Sequence, residues 1–310
     1  NYEVTTLIRK ESAAAALNKR GIKTIIGTLT DKPLIQQHVA ASDIVIHTAN
    51  ADHLPSVEAV FDGIDQRAKE NKHTIYIHTS GTGLLSDNNN NAFEGKIIFS
   101  DEEPDTIDAL PDNAPHRPVD LTILRRRRAL GNKAQVAIII PPLIYGVSHP
   151  ANRLSIQLPC LVRYALKHGY AGHIGEGRSV WSQIHVKDLA RGYIALLHSL
   201  ENSNVASADD ALPNPYWFCE NGHELSWGTC ASEIGRVLHQ LGCIEDPTPR
   251  TIPPDNFGDL YGDHSSMALG SNSRSRADRL RKLGWEAKEK QTLASLAEDE
   301  IPIILKEIGL

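Results

Sequence analysis

The chain has 310 residues, a formal net charge of −6, 41% hydrophobic and 23% charged residues. That is enough apolar material for one large buried core or two unequal ones, and the lack of a basic excess argues against bulk attraction to nucleic acid or an anionic membrane. No apolar run reaches the ~18 residues a membrane span needs, and no secretory signal is visible.

The first half alternates strand-like and helix-like segments. "VTTLIR" alternates and is β-branched, as a strand should be. "SAAAALNKRG" is rich in helix formers and stops at Gly21. "KTIIGTL" is the next strand and "KPLIQQHVAAS" a short helix with Pro33 near its start. "DIVIHTA" is nearly all apolar, which predicts a strand buried on both faces. A long helix, "LPSVEAVFDGIDQRAKEN", leads into the buried strand "HTIYIHTS", and "AQVAIIIPP" is one more strand. Residues 85–115 carry "SDNNNN", several acids and three prolines, and predict a long surface excursion. "DLTILRRRRAL" resumes helix, and its run from Arg125 to Arg128 covers more than one helix face, so it reads as a solvated helix end.

The second half is less regular. "IQLPCLVRYALKHG" is helical, "RSVWSQIHVKDLARGYIALLHSL" begins as a strand and turns helical near Lys187, and "NPYWFCEN" is a short strand. "SWGTCASEIGRVLHQLG" is a helix with Ser226 as N-cap. "PTPRTIPPDNFGDLYG" is a proline-rich connection, and "SRADRLRKLGW" is a charged helix closed by Gly284. The four cysteines, Cys160, Cys219, Cys230 and Cys243, have no CxxC spacing, and the fourteen histidines form no HExxH or HxH array. No metal site is expected, and the thiols read as reduced and cytoplasmic. Strand–helix alternation predicts an α/β protein with a doubly wound parallel Rossmann-like sheet over residues 1–150 and a small C-terminal substrate lobe over 151–310, interleaved with the last sheet elements.

Four motifs, in order, carry a family resemblance: "IYIHTSGTG", "IIIPPLIYG", "WSQIHVKDLARGYIALL" and "SRSRADRLRKLGW". With them the chain resembles the extended and atypical branches of the short-chain dehydrogenase/reductase superfamily, the NAD-dependent epimerase/dehydratase-like proteins, and among these a group of fungal members. The resemblance implies a dinucleotide-binding domain, a substrate lobe and a small-molecule substrate, with no nucleic-acid or membrane partner. It is compatible with a homodimer.

Such proteins begin with a strand, a GxxGxxG turn and a helix, whose backbone N–H groups hold the pyrophosphate. No such unit stands among these residues. "SGTGLL" lacks a third glycine, and "GHIGEGRS" precedes a strand rather than a helix. The economical expectation is that a first βα unit of ~30 residues is missing from this chain; the alternative is a natural short form that binds no dinucleotide. By motif position, Arg9 and Lys10 stand where an acid would bind the ribose of NAD. A cation there pairs instead with the 2′-phosphate of NADP, so NADP is the expected cofactor, with NAD as the alternative. A solvated pair at a strand end is the plain reading of the same two residues. Thr28 and Leu29 would lie by the adenine. Thr48, Ala49 and Asn50 would line the cofactor, and Pro141, Leu143 and Ile144 would border the nicotinamide.

The family's catalytic set is Ser, Tyr and Lys. Ser80 fits the serine position, with Thr82 nearby, but the chain contains no YxxxK. Alignment on the preceding proline puts His116 at the tyrosine place and Asp120 at the lysine place. A histidine exchanges protons near neutral pH without the pKa depression a tyrosine needs, and an acid one helical turn on would orient or stabilise it. Alternatively, His116 and Asp120 simply begin a helix. Ser80 has no GxSxG elbow, so a hydrolase is not implied. Tyr145 and Trp181 are candidate substrate contacts, with core packing as the competing reading. Arg274, Arg276 and Arg279 fit a substrate phosphate or a solvated face equally. Three functions follow: an NADP(H)-dependent reductase or epimerase/dehydratase acting on a small carbonyl or hydroxyl compound, a non-catalytic dinucleotide sensor, or a cofactor-free isomerase.

Overall fold

The computed structural model describes residues 2–87, 95–148, 153–203 and 212–310. In chain order the first elements are β1 (Thr5–Ile8), α1 (Ala14–Asn18), β2 (Lys23–Ile26), α2 (Lys32–Ala40), β3 (Ile44–His47), α3 (Leu54–Lys69) and β4 (Thr74–Thr79). Next come β5 (Phe99–Ser100), α4 (Pro104–Asp108), α5 (Arg117–Leu130), β6 (Ala134–Ile140), β7 (Leu143–Tyr145), α6 (Gln157–His168), β8 (Gly172–His173), β9 (Val180–His185) and α7 (Val186–Asn202). The last are β10 (Tyr216–Phe218), β11 (Glu224–Ser226), α8 (Trp227–Gln240), β12 (Arg250–Thr251), α9 (Ser265–Gly270), β13 (Ser275–Arg276), α10 (Asp278–Lys282), α11 (Thr292–Ser295) and α12 (Ile301–Glu307). The protein is α/β, and β1–β2, β6–β10 and β7–β9 all pair in parallel.

Two compact units are present, one of residues 1–77, 119–136 and 204–212 and one of 78–118, 137–203 and 213–310. The division does not fall at residue 150. The chain passes between the units inside β4, α5 and β6, so sequence order is a poor guide to where a core begins and ends.

In the first unit β1 and β2 form a two-stranded sheet of their own, with Thr5 opposite Lys23 and Ile8 opposite Ile26. Strand β3 pairs with β4. Between these strands α2 and α3 pack against one another, and Gly63 of α3 has Val39 of α2 at 2.7 Å from where a Cβ would stand, so the crossing tolerates no larger residue. Helix α3 starts with Pro55 in its first turn and with the His53 ring accepting from the Ser56 N–H at 3.1 Å. Its buried face (Val57, Val60, Phe61, Ile64) meets Tyr76 of β4 through an edge-on contact with Phe61 at 5.4 Å. The four-arginine run is not simply solvated. Arg127 is buried, and Arg126 pairs with Asp62 and Asp65 while lying over the Phe61 ring at 5.4 Å. Nor is β3 buried on both faces: Ile46 is 43% exposed, because β4 is the only strand that pairs with β3 among the described residues.

In the second unit the sheet order is β10-β6-β4, with Tyr216 opposite Ile138. A second sheet has the order β11-β9-β7, antiparallel between β11 and β9. Its core gathers Leu143 and Tyr145 of β7, the apolar faces of α6 and α8, Trp181 and Trp227. Helix α6 ends at Gly169, whose φ of 76° lets the chain turn left-handed after the last carbonyls. Helix α8 is capped by Ser226, whose Oγ accepts from the Thr229 N–H at 3.1 Å, as expected. The 85–115 excursion, of which residues 88–94 lie outside the described ones, is more than a surface loop. Strand β5 pairs with β13, Ile107 is fully buried, and Asp101 accepts from the Phe218 and Arg279 N–H groups. Burial of that carboxylate raises its pKa to about 6, although the same N–H groups pull the other way.

Candidate active site and cofactor groove

Ser80 is the first residue past β4, and its N–H donates to the Ile139 carbonyl at 2.9 Å, extending the sheet by one bond. The chain then runs through Gly81, Thr82 and Gly83 in a 3-10 turn. Thr82 is pinned at both backbone groups: its N–H donates to the Pro141 carbonyl at 3.0 Å, and its carbonyl accepts from Ser273 Oγ at 2.7 Å. Its hydroxyl is buried, and Oγ1 has no hydrogen-bond partner among the described residues. Such atoms are uncommon in folded proteins.

His116 comes to this loop from the other side, immediately before α5. Its φ is 67°, a left-handed conformation that costs a non-glycine residue about 1–2 kcal/mol. The ring it places lies against the glycines: Nε2 is 3.1 Å from where a Cβ on Gly81 would stand and 3.0 Å from the same point on Gly83. Ser80, Thr82 and His116 therefore share one locality, at the ends of β4 and β6 and the start of α5.

Asp120 lies in the first unit, whereas Ser80 and His116 lie in the second. It is buried, and its charge acts on Tyr76, whose hydroxyl is held protonated chiefly by burial and secondarily by that carboxylate. Tyr145 is fully buried, donates to the Lys290 carbonyl at 2.9 Å and accepts from Asn221 Nδ2 at 3.0 Å. Trp181 belongs to the core and donates to the Ser271 carbonyl at 2.7 Å. Pro141 and Leu143 are buried and Ile144 half-buried. Arg274 and Arg276 are engaged by Glu224, whose pKa burial would raise but whose arginine hydrogen bonds hold it below the usual value. Arg279 donates to the Asn214 and Tyr216 carbonyls and lies 3.7 Å over the Trp217 ring. All three arginines are thus occupied by the protein itself.

The first unit holds a cavity of about 240 Å³. Three consecutive residues of β1, Thr5 to Leu7, and four of β3, Ile44 to His47, line it. Side chains alternate across a strand, so consecutive lining residues mean that strand edges, not sheet faces, form these walls. Leu29, Thr48 and Ala49 line the same cavity. Thr28 is close by in sequence but closes its own turn, donating from its N–H to Asp31 at 2.6 Å. Arg9, Lys10 and Asn50 are exposed, and Arg9 and Lys10 make no ion pair with the described residues.

Two features carry no motif in the sequence. Gly81 and Gly83 read there as a failed phosphate loop, although glycines spaced two apart beside a serine are a sign of close packing by some other group. Glu300 closes a π-helical turn, Leu296–Glu300, and is fully buried. Its carboxylate accepts from the Gly146 N–H, and burial raises its pKa to about 7. In the sequence it is the last of three consecutive acids, Glu298, Asp299 and Glu300, before the apolar run "IPIIL", and nothing there singles it out.

No family profile matches the chain. Over 303 residues it is 28% identical to Oxidase ucsJ of an Acremonium species, an alignment that takes in 92% of this chain and 85% of that protein. Among solved structures it superposes on dTDP-glucose 4,6-dehydratase DesIV of Streptomyces venezuelae, bound to NAD and TYD, with a TM-score of 0.66 and 16% identity over 98% of this chain and 88% of that one. It superposes equally on UDP-glucose 4-epimerase of Thermotoga maritima with UDP-glucose, with a TM-score of 0.65 and 13% identity over 99% and 92%.

Proposed function

On the fold of the extended short-chain dehydrogenase/reductases, of the NAD-dependent epimerase/dehydratase type, we propose that this protein is an NADP(H)-dependent oxidoreductase or epimerase/dehydratase acting on a small carbonyl or hydroxyl compound. The observation that carries the reading is the convergence of Ser80 and His116 on one loop, the hydroxyl and the imidazole that such chemistry needs. The residues present fit the adenosine end of a dinucleotide: Leu29, Thr48 and Ala49 line one cavity, and Arg9 and Lys10 are cations without acidic partners among the described residues. The cavity is smaller than a whole dinucleotide requires, and no glycine-rich strand–turn–helix occurs in residues 1–310 to hold a pyrophosphate.

When bound, the nicotinamide supplies or accepts hydride. Ser80 orients the substrate oxygen by hydrogen bonding, and the Thr82 hydroxyl is a second group for that oxygen. His116 donates a proton to the oxygen during reduction and accepts one during oxidation. Asp120 is given no catalytic step, since its buried carboxylate sits beside Tyr76.

The test is twofold. NADPH at millimolar concentration should raise the melting temperature of the full-length protein, and His116→Ala should cut turnover of a carbonyl panel ~100-fold or more while leaving that shift in place. No shift with either dinucleotide would sink the proposal. A shift without turnover in the wild type would favour a dinucleotide sensor.

A further inference from the structure

We infer that Gly81 and Gly83 are positioning residues for the His116 imidazole: together they form a cradle that only a loop without side chains can provide. The inference rests on the reading of His116 as the proton-transfer group for its functional meaning, though not for its test.

Three independent features converge on this one ring. The first is space. A Cβ on Gly81 would meet Nε2 at 3.1 Å and Cδ2 at 3.3 Å, and one on Gly83 would meet the same atoms at 3.0 and 3.4 Å. Ordinary contact begins at about 3.5 Å between such atoms, so either methyl would push the ring aside by a few tenths of an ångström. The second is backbone conformation, which points away from the usual reason for glycine. Gly81 is extended, with φ of −165° and ψ of 150°, and Gly83 has no positive φ. Alanine suits both backbones, so what the positions require is the missing side chain. The third is strain at the other partner. His116 itself adopts the left-handed conformation, one of two non-glycine residues to do so among those described. Strain retained at a polar side chain beside a candidate site points to function.

The loop cannot yield to an added methyl. Thr82, between the two glycines, is held by Pro141 through its N–H and by Ser273 through its carbonyl. Pro115 adds a wall, its Cβ lying 3.6 Å from the Gly83 Cβ position. The ring is therefore the part that moves. The cradle also fixes which edge of the ring faces the loop: Nε2 and Cδ2 lie against the glycines next to Ser80, with Cε1 farther away at Gly81. Proton transfer is steeply sensitive to such placement.

The experiment uses the intact protein with [13Cε1]-labelled histidine. His116→Ala removes one resonance and so assigns it. Gly81→Ala and Gly83→Ala should each displace that resonance while leaving those of distant histidines in place. Each should also lower the melting temperature when His116 is present, and the loss should vanish in a His116→Gly background, where the ring is gone and the left-handed backbone suits the new residue. An unmoved resonance, or an equal loss in both backgrounds, overturns the cradle. Unchanged turnover in His116→Ala would remove the acid–base reading and leave the cradle standing.

Discussion

The Glu300 carboxylate accepts a hydrogen bond from the Gly146 N–H at 3.1 Å through Oε1, while Oε2, also buried, has no partner among the described residues. Burial is the main cause of its raised pKa, about 7 against an ordinary 4.5. Between those values the folded protein holds a proton that the unfolded chain releases. Stability therefore falls as pH rises from 4.5 to 7, by about 3 kcal/mol at most. Glu300→Gln keeps the acceptor for Gly146 and abolishes the titration. Urea midpoints at pH 5 and pH 8 should differ more in the wild type than in the variant, and equal differences would remove Glu300 from the account.

Thr82 offers a test that separates stability from activity. Its buried hydroxyl has no partner among the described residues, so Thr82→Val removes a polar atom whose desolvation is uncompensated and should raise stability by ~1 kcal/mol. If the hydroxyl serves a substrate oxygen, the same variant turns over substrate ~10-fold more slowly, one hydrogen bond's worth. A stabilised variant with unaltered kinetics would show that the hydroxyl does not touch substrate.

Cofactor choice turns on Arg9. Arg9→Asp should weaken NADPH binding ~10–100-fold, the worth of a charge-assisted phosphate contact, while leaving NADH binding unchanged or improved. Isothermal titration of both dinucleotides decides. A parallel loss for both would place Arg9 outside the recognition of the 2′-phosphate.

Much of this was legible in the sequence. Alternation and β-branching located β1, β2, β4 and β6, and Pro33, Ser226 and Gly284 marked helix ends where local chemistry decides the outcome. What stayed hidden depended on partners distant in sequence. The excursion reads as polar surface, yet Asp101 is buried because Phe218 and Arg279, over a hundred residues away, supply its N–H donors. Arg274 and Arg276 look like phosphate ligands until Glu224, fifty residues earlier, is seen to neutralise them. At the site, Ser80 and His116 were identifiable singly. Their meeting was not, because it depends on the space left by Gly81 and Gly83 and on a left-handed histidine.

The walls of the first unit's cavity suggest a solution property. Among the described residues β1 pairs only with β2 and β3 only with β4, and Val4, Ile26 and Ile46 are exposed nearby. Unpaired edges with apolar neighbours recruit strands from other molecules. Residues 1–310 expressed alone should self-associate with concentration, and Ile46→Lys should suppress this. Light scattering over a dilution series measures it; an unchanging monomer would show that the edges are protected.

The passage of the chain between the units has a consequence for cutting it. Each unit is assembled from three separate stretches, and three of the five crossings fall within β4, α5 and β6. Neither unit can be excised as one continuous fragment. A protease nick near residue 150 would leave both resulting pieces with a share of the second unit and neither with all of it.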